Sequence, residues 1–199
     1  MYKKLIAASA VSASVAFSGC AAFRANDLPA VDKAEVAVKS ATKTKVFSRW
    51  SIESDSSLVN DQTRAAAGAI HKNYFDAALK ESDCCIVVEG PTEADIVVNG
   101  KAINENNPAA VIPAFITGFS LFTIPSWATV TIHIQAEAKS GLMSRNYDLS
   151  DSITMVNWLP MIFVLPFADN PISAGKAVDE NTYRTLVLKM KQDGFFNKS

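Results

Sequence analysis

The sequence lacks most of what common activities require. It has no basic excess: 19 Lys and Arg stand against 20 Asp and Glu, a net charge of −1. A nucleic-acid binder needs surplus positive charge to neutralise phosphates, so that class is excluded. There are two histidines, His71 and His133, far apart in the chain, and only three cysteines. No Cys/His spacing suited to a metal site results, and no metal or cofactor is expected. The nucleophile elbow Gly-x-Ser-x-Gly and the phosphate loop Gly-x4-Gly-Lys-Ser/Thr are both missing. Gly118-Phe119-Ser120 lacks the rest of the elbow. Two carboxylate pairs, Glu93 with Asp95 and Asp148 with Asp151, read more simply as turn and edge-strand charges than as an acid–base couple. No catalytic residue is assigned, and the expectation is a protein that is not an enzyme. Charged residues make up only 20% of the chain, too few for a disordered polymer.

What is present is apolar residue, at 49% of 199 positions, and its distribution is uneven. Residues 1–20 read MYKKLIAASAVSASVAFSGC. Lys3 and Lys4 form a positive start, Leu5 to Phe17 is uncharged and rich in Ala and Val, and small residues lead to Cys20. These are the parts of a secretory signal. The ending Phe17-Ser18-Gly19-Cys20 resembles the lipobox of bacterial lipoproteins, with Phe17 where that family more often has Leu. The resemblance implies cleavage before Cys20 and acylation of Cys20. Each buried CH₂ contributes about 0.8 kcal/mol, so two or three chains anchor firmly where one binds marginally. Ala21, rather than Asp, follows the cysteine, which in that family favours the outer membrane, with the domain on its periplasmic face. Loss of Lys3 and Lys4 leaves 17 basic against 20 acidic side chains, a net −3.

The expected organisation is a signal over 1–19, a lipidated tether over 20–43 with one helical turn, and a single domain over 44–199. A short strand spans Lys45 to Ile52, with Ser48 interrupting its apolar side. A helix runs from about Leu58 to Glu81, capped by Ser57, with Ala67, Ile70, Tyr74 and Ala77 on its buried face. Two Val/Ile-rich strands follow, Cys84 to Glu89 and Asp95 to Ile103. Cys84 and Cys85 read as small apolar residues, one per strand face, in preference to a bridge between neighbours. A last helix, Ala177 to Asp193, buries Tyr183, Leu186, Val187 and Met190 and ends at Gly194.

The clearest local signal is the strict alternation from Trp127 to Lys139, a strand with one buried and one wet face. His133 falls on the wet face. Turning at Ser140-Gly141 pairs residue i with 281 − i, so Ile134 meets Tyr147 and Ile132 meets Leu149. Asp151 is the misfit on the apolar face, marking a bulge or a functional carboxylate. The fold class is therefore α+β: a four- to five-stranded, largely antiparallel or mixed sheet with two helices on one face, in the order β-α-β-β-β-β-α. The run from Cys84 to Glu89 followed by Ala94-Asp95-Ile96-Val97-Val98 resembles small α/β envelope lipoproteins and TolB N-terminal-like domains. That resemblance implies no activity.

Two segments stand apart. Asn106 to Ala136 carries no charge, with the core 108–127; a second uncharged run lies between Asp151 and Asp169, with the core 158–167. Pro113, Pro125, Pro160 and Pro166 interrupt them, which argues against membrane-spanning helices. The segments then form either buried core or a surface patch. The hairpin register makes both emerge from one end of the sheet, with Trp127 and Trp158 near each other. Phe115, Phe119, Leu121, Phe122, Met161, Phe163 and Phe167 complete the candidate contact set. Exposed, they would meet membrane, an envelope protein partner or a second copy. Turned inward, the same aromatics would line a pocket for a lipid or small molecule. The function this supports is an outer-membrane-anchored accessory or binding module in envelope assembly or transport.

Overall fold

The computed structural model describes residues 20–38, 42–53, 60–105, 116–164 and 167–196. The class is α+β, with a mixed six-stranded sheet in the order β1-β6-β5-β4-β2-β3. The strands are β1 (Cys20–Arg24), β2 (Thr44–Glu53), β3 (Cys85–Val87), β4 (Ile96–Glu105), β5 (Ser126–Ser140) and β6 (Met143–Asn157). The helices are α1 (Lys33–Val36), α2 (Asp61–Glu81) and α3 (Pro171–Gln192). β2 runs parallel to β3 and β4, whereas β4 with β5 and β1 with β6 are antiparallel.

The chain separates into two compact units rather than the single one expected over 44–199. Unit 1 comprises Met1–Ala25, Asn107–Val130 and Ile153–Gly175; unit 2 comprises Asn26–Asn106, Thr131–Ser152 and Lys176–Ser199. β5, β6 and α3 each contribute residues to both.

Unit 2 holds a hydrophobic core. Trp50 of β2 meets Tyr183 of α3 edge-on at 5.0 Å and Phe75 of α2 at 5.5 Å between ring centroids. Around them pack Val46, Ile96, Val98, Ile134, Leu79, Leu186, Val187 and Met190, all buried. Two glycines make this possible. A Cβ on Gly100 would overlap the Trp50 ring, and one on Gly68 would lie 2.7 Å from the Trp50 carbonyl oxygen. The buried face of α2 is accordingly Gly68, Phe75, Ala78 and Leu79, one position on from the expected stripe, and Ile70 and Ala77 face solvent. The polar interruption in β2 has a partner: the Ser48 hydroxyl donates to buried Asp76, which also pairs with Lys72 at 2.6 Å. Arg184 binds Glu81 through Nε and Nη2, tying α3 to the end of α2, and this hydrogen bond holds Glu81 below the usual carboxylate range.

The element ends follow local chemistry. Asn60 caps α2 by accepting from the Thr63 N–H at 2.8 Å; Ser57, the expected cap, lies outside the described residues. α3 begins at Pro171, six residues before the expected start. The Asn170 side chain accepts from the Ser173 N–H at 2.9 Å, and proline suits the first helical position. Gly194, at φ 86°, ends the helix, and the Phe195 N–H reaches the Met190 carbonyl at 3.1 Å. Near the hairpin turn, Glu137 bonds Ser144 and His133 bonds Asp148, both in the expected 281 − i pairing.

Two expectations are corrected. Residues 20–38 are packed rather than a tether: Cys20–Arg24 forms a strand, Val31 and Val36 are buried, and the Val31 N–H donates to Asn181 at 2.9 Å. Scattered apolar residues suffice once each has its own socket. Cys84 and Cys85 are joined by a disulfide. Strand geometry begins only at Cys85, after Asp83 takes a positive φ of 54°, so the two side chains do not alternate and both are buried.

Replacing Gly100 by alanine should force Trp50 out of its seat. A loss of about 2–3 kcal/mol in chemical denaturation is expected, typical of overpacking in a tight core. An unchanged midpoint would mean the indole has room that the geometry denies.

Candidate functional site

The two uncharged segments meet in unit 1. The first makes a helical turn at 116–119 and closes sharply: Ser120 N–H reaches the Ile116 carbonyl at 3.0 Å and Phe122 N–H reaches Thr117 at 2.8 Å. Leu121 and Phe122 both adopt left-handed backbone, with φ of 50° and 62°. The second segment leaves β6 through Trp158 into a 3-10 turn, Leu159–Phe163, with a proline at its start. The Leu159 N–H donates to the Phe122 carbonyl at 2.8 Å. That bond brings together the two ends that the hairpin register makes neighbours.

The large side chains point outward. Phe119 and Phe167 are 90% exposed, Phe163 80%, Leu121 78% and Trp127 67%. Trp158 is exposed as well, and Phe122 and Met161 are half-buried. Phe115 lies outside the described residues. What unit 1 buries among its described residues is mostly small: Ala21, Ala22, Thr117, Ser126, Ala174 and, alone among large ones, Ile153. This reverses the usual distribution, in which large apolar residues fill the interior. The buried-core and pocket-lining readings both need these rings turned inward; Phe119, Trp127, Trp158, Phe163 and Phe167 turn out, and Phe122 is half-buried. Among the described residues no helix is long and apolar enough to cross a membrane. Sequence reasoning overlooked Phe23, Leu159 and Ile172, which share this exposure. The last two lie within or beside the uncharged runs, so the signal was there; Phe23 was assigned to a tether.

β1 adds the candidate attachment residue. Cys20 pairs with Asn157, the residue before Trp158, and Phe23 pairs with Thr154. The Thr154 and Thr129 hydroxyls lie 2.9 Å apart, so Phe23, Thr154 and Thr129 share one face. Burial pushes the Cys20 thiol up from its ordinary range. From Cys20 onward, Arg24 and Asp169 are the only charged residues of unit 1. They pair with each other at 3.3 Å, beside the bond from the Ala22 N–H to the Asp169 carbonyl at 3.0 Å.

The other candidates lie in unit 2 and do not assemble. On the wet strand face, Asp148 accepts from Gln135 at 3.2 Å and pairs with His133 at 2.7 Å. Asp151 takes backbone N–H bonds from Asp27 at 3.1 Å and Ser152 at 2.8 Å. It is buried, and its position three residues from Asp148 puts the two on opposite strand faces, so they form no acid–base pair. Asp95 accepts from the Lys45 N–H at 2.8 Å. Asn99, Lys101, Gln135, Glu137 and Asn146 line an open groove of about 420 Å³ on the polar sheet face. Between the helices, His71 Nδ1 lies 2.9 Å from the Tyr183 hydroxyl, and burial lowers the His71 pKa and raises that of Tyr183. Asp179 is raised to about 7, by burial first and the charge of Glu180 second. Among the described residues no group of three His, Cys, Asp or Glu could hold a metal ion.

No protein-family model matches the chain, and a search of curated proteins returns no match. Among solved structures, the chain is similar to a PelC dodecamer variant from Paraburkholderia phytofirmans at 11% identity and a TM-score of 0.34, over 84% of this chain and 97% of that one. A second PelC dodecamer from that organism gives 11% identity and 0.30, over 82% and 98%. A Xanthomonas campestris protein of the DUF330 family gives 8% and 0.37, over 77% and 89%. Likenesses at this level carry no functional argument.

Two measurements test this local chemistry. Leu121→Gly relieves a left-handed strain of about 1–2 kcal/mol against a glycine entropy cost of about 0.5–1 kcal/mol. A gain of about 0.5–1 kcal/mol in thermal unfolding is expected, and a loss would show that the exposed side chain packs. Asp179→Asn removes a carboxylate whose folded pKa lies above its unfolded value. The wild type loses stability from this group as pH rises from about 4 to about 7, so the variant's advantage should be absent near pH 4. Above pH 7 it should reach the order of 2–4 kcal/mol. A pH-independent difference would refute the assignment.

Proposed function

We propose that this chain is a lipid-anchored outer-membrane lipoprotein facing the periplasm. In this reading it is a non-enzymatic accessory or binding module in envelope assembly or transport, and its apolar surface contacts the membrane or a membrane-protein partner. One observation carries the reading. The cysteine that ends the lipobox-like run is the first residue of β1, and its strand partner Asn157 directly precedes the exposed Trp158-Leu159 pair. An acyl anchor at Cys20 would thus sit among side chains that water solvates poorly. The two-to-three-chain anchor expected of such a cysteine is strong enough to hold the protein at a bilayer. The groove on the polar face of unit 2, lined by amides and charges of both signs, offers a separate surface for a soluble partner.

The test is the mature N-terminus. Mass spectrometry of the protein from membranes should find a chain beginning at Cys20 and carrying acyl mass on that residue. Cys20→Ala should leave the leader uncut and deplete the protein from the outer-membrane fraction. A mature chain that starts elsewhere, with Cys20 as a free thiol, would overturn the anchor.

A further inference from the structure

Unit 1 exposes large apolar side chains among its described residues, and three of its properties select one occupant. Its described interior is built from alanine, serine and threonine, with Ile153 as the exception, while Phe119, Leu121, Trp127, Phe163 and Phe167 are at least two-thirds exposed. It carries no net charge from Cys20 onward, because Arg24 and Asp169 neutralise each other at 3.3 Å. Its strand β1 begins at Cys20, whose partner Asn157 directly precedes the exposed Trp158, so the proposed point of acylation lies at the edge of this surface. A protein partner fitted to such a patch would ordinarily be met by a polar rim that fixes register. The exposed polar groups of unit 1 are neutral here, among them Thr123, Thr129, Asn170 and Ser173, apart from the Arg24–Asp169 ion pair, so no set of unpaired charges fixes a partner's register. Trp127 and Trp158, each with an apolar ring body and one N–H donor, suit the boundary between acyl chains and headgroups.

We infer that this surface is a bilayer-insertion face: the side chains of Phe119, Leu121, Phe163 and Phe167 enter the acyl region beside the lipid on Cys20. The contact is driven by apolar burial alone and reads zwitterionic lipid without any demand for anionic headgroups. The inference rests on the anchoring reading for its geometry and extends it by naming the occupant. It makes the anchor and the patch a bivalent device. Once acyl chains hold the protein at the surface, insertion of the side chains is an intramolecular step at high effective concentration.

The experiment uses the acylated protein reconstituted into phosphatidylcholine vesicles whose acyl chains carry bromine, a short-range quencher of indole fluorescence. The wild type should be quenched. A Trp127→Phe/Trp158→Phe variant, which keeps only the core residue Trp50, should not be. Phe119→Ser/Phe163→Ser/Phe167→Ser should lose most of the quenching while still floating with the vesicles. Adding phosphatidylglycerol, or raising salt, should leave the wild-type signal unchanged. Protein that floats with vesicles yet shows no quenching overturns the insertion face while leaving the anchor intact. If such protein also runs as a multimer, a second copy occupies the patch. Quenching that requires phosphatidylglycerol overturns the charge-free contact. Absence of acyl mass on Cys20 overturns the anchor instead, and quenching of that unacylated protein by the same vesicles then decides the patch by itself.

Discussion

The interior of unit 2 depends on one close approach, the Trp50 indole lying where Gly100 has no side chain. β2 and β4 are adjacent parallel strands, and the residues opposite each other in their register are Trp50 and Gly100. A large ring on a sheet must lie over some neighbour, and here the neighbour is an absence. The ring so placed offers its edges to Tyr183 and Phe75, which come from the two long helices. Gly68 lets α2 come down onto the Trp50 carbonyl. Two glycines and one tryptophan therefore set where both helices settle, and the aliphatic residues of β4, β5 and α3 fill the remaining volume. Aromatic pairs of this kind contribute about 0.5–1.5 kcal/mol beyond the area they bury.

Unit 1 is built on the opposite rule. Its sequence is as apolar as a core, yet its described buried positions hold mostly residues with little side chain to bury. At roughly 25 cal/mol per Å² of apolar surface, alanines and hydroxyl residues contribute little, and exposed phenylalanines contribute nothing until something covers them. Backbone bonds do much of the holding: the Leu159–Phe122 and Ala22–Asp169 links and the β1–β6 ladder. Such a unit keeps its shape through hydrogen bonds and offers its apolar free energy to whatever docks on it. A soluble monomer seldom leaves a patch of this kind open without using it.

Much of this was legible in the sequence, for physical reasons that vary by element. Alternation from Trp127 to Lys139 specifies a strand because period two has no helical counterpart, and Gly141 at φ 58° confirms the turn chemistry. The buried stripe of α3 was readable because Tyr183, Leu186, Val187 and Met190 follow helical spacing. The stripe of α2 was misread by one position because Gly68 carries no hydrophobic signal, although its lack of a side chain is what the packing uses. β1 was missed because five residues after a leader-like run present no period, and their partner strand lies over a hundred positions away. The vicinal disulfide was missed because its reading assumed strand geometry at Cys84, and the left-handed turn at Asp83 delays it by one residue. Whether the uncharged segments face in or out was not legible at all. Composition fixes that such side chains avoid water, and only the tertiary backbone says which ones succeed.

The backbone at the tip of the first segment bears on what the patch is for. Two consecutive bulky residues, Leu121 and Phe122, hold left-handed φ values that cost about 1–2 kcal/mol each for a residue with a Cβ. Glycine would remove that cost; the Leu121 N–H donates to the Gly118 carbonyl at 3.1 Å, but its side chain is 78% exposed. Phe122 is half-buried, and its carbonyl receives the Leu159 N–H, so its conformation also joins the two segments. Strain retained together with an exposed apolar side chain is a cost that the side chain's own packing does not offset. Such cost clusters where a surface must be presented in one fixed shape. The left-handed pair turns the chain tightly enough to hold Leu121 outward while the Phe122 carbonyl stays locked to the second segment. A loose glycine-rich loop would lose that rigidity and, on docking, would have to order itself first. A preformed apolar projection needs no such ordering. On the insertion reading proposed above, the strain acts as pre-organisation for contact with an apolar phase.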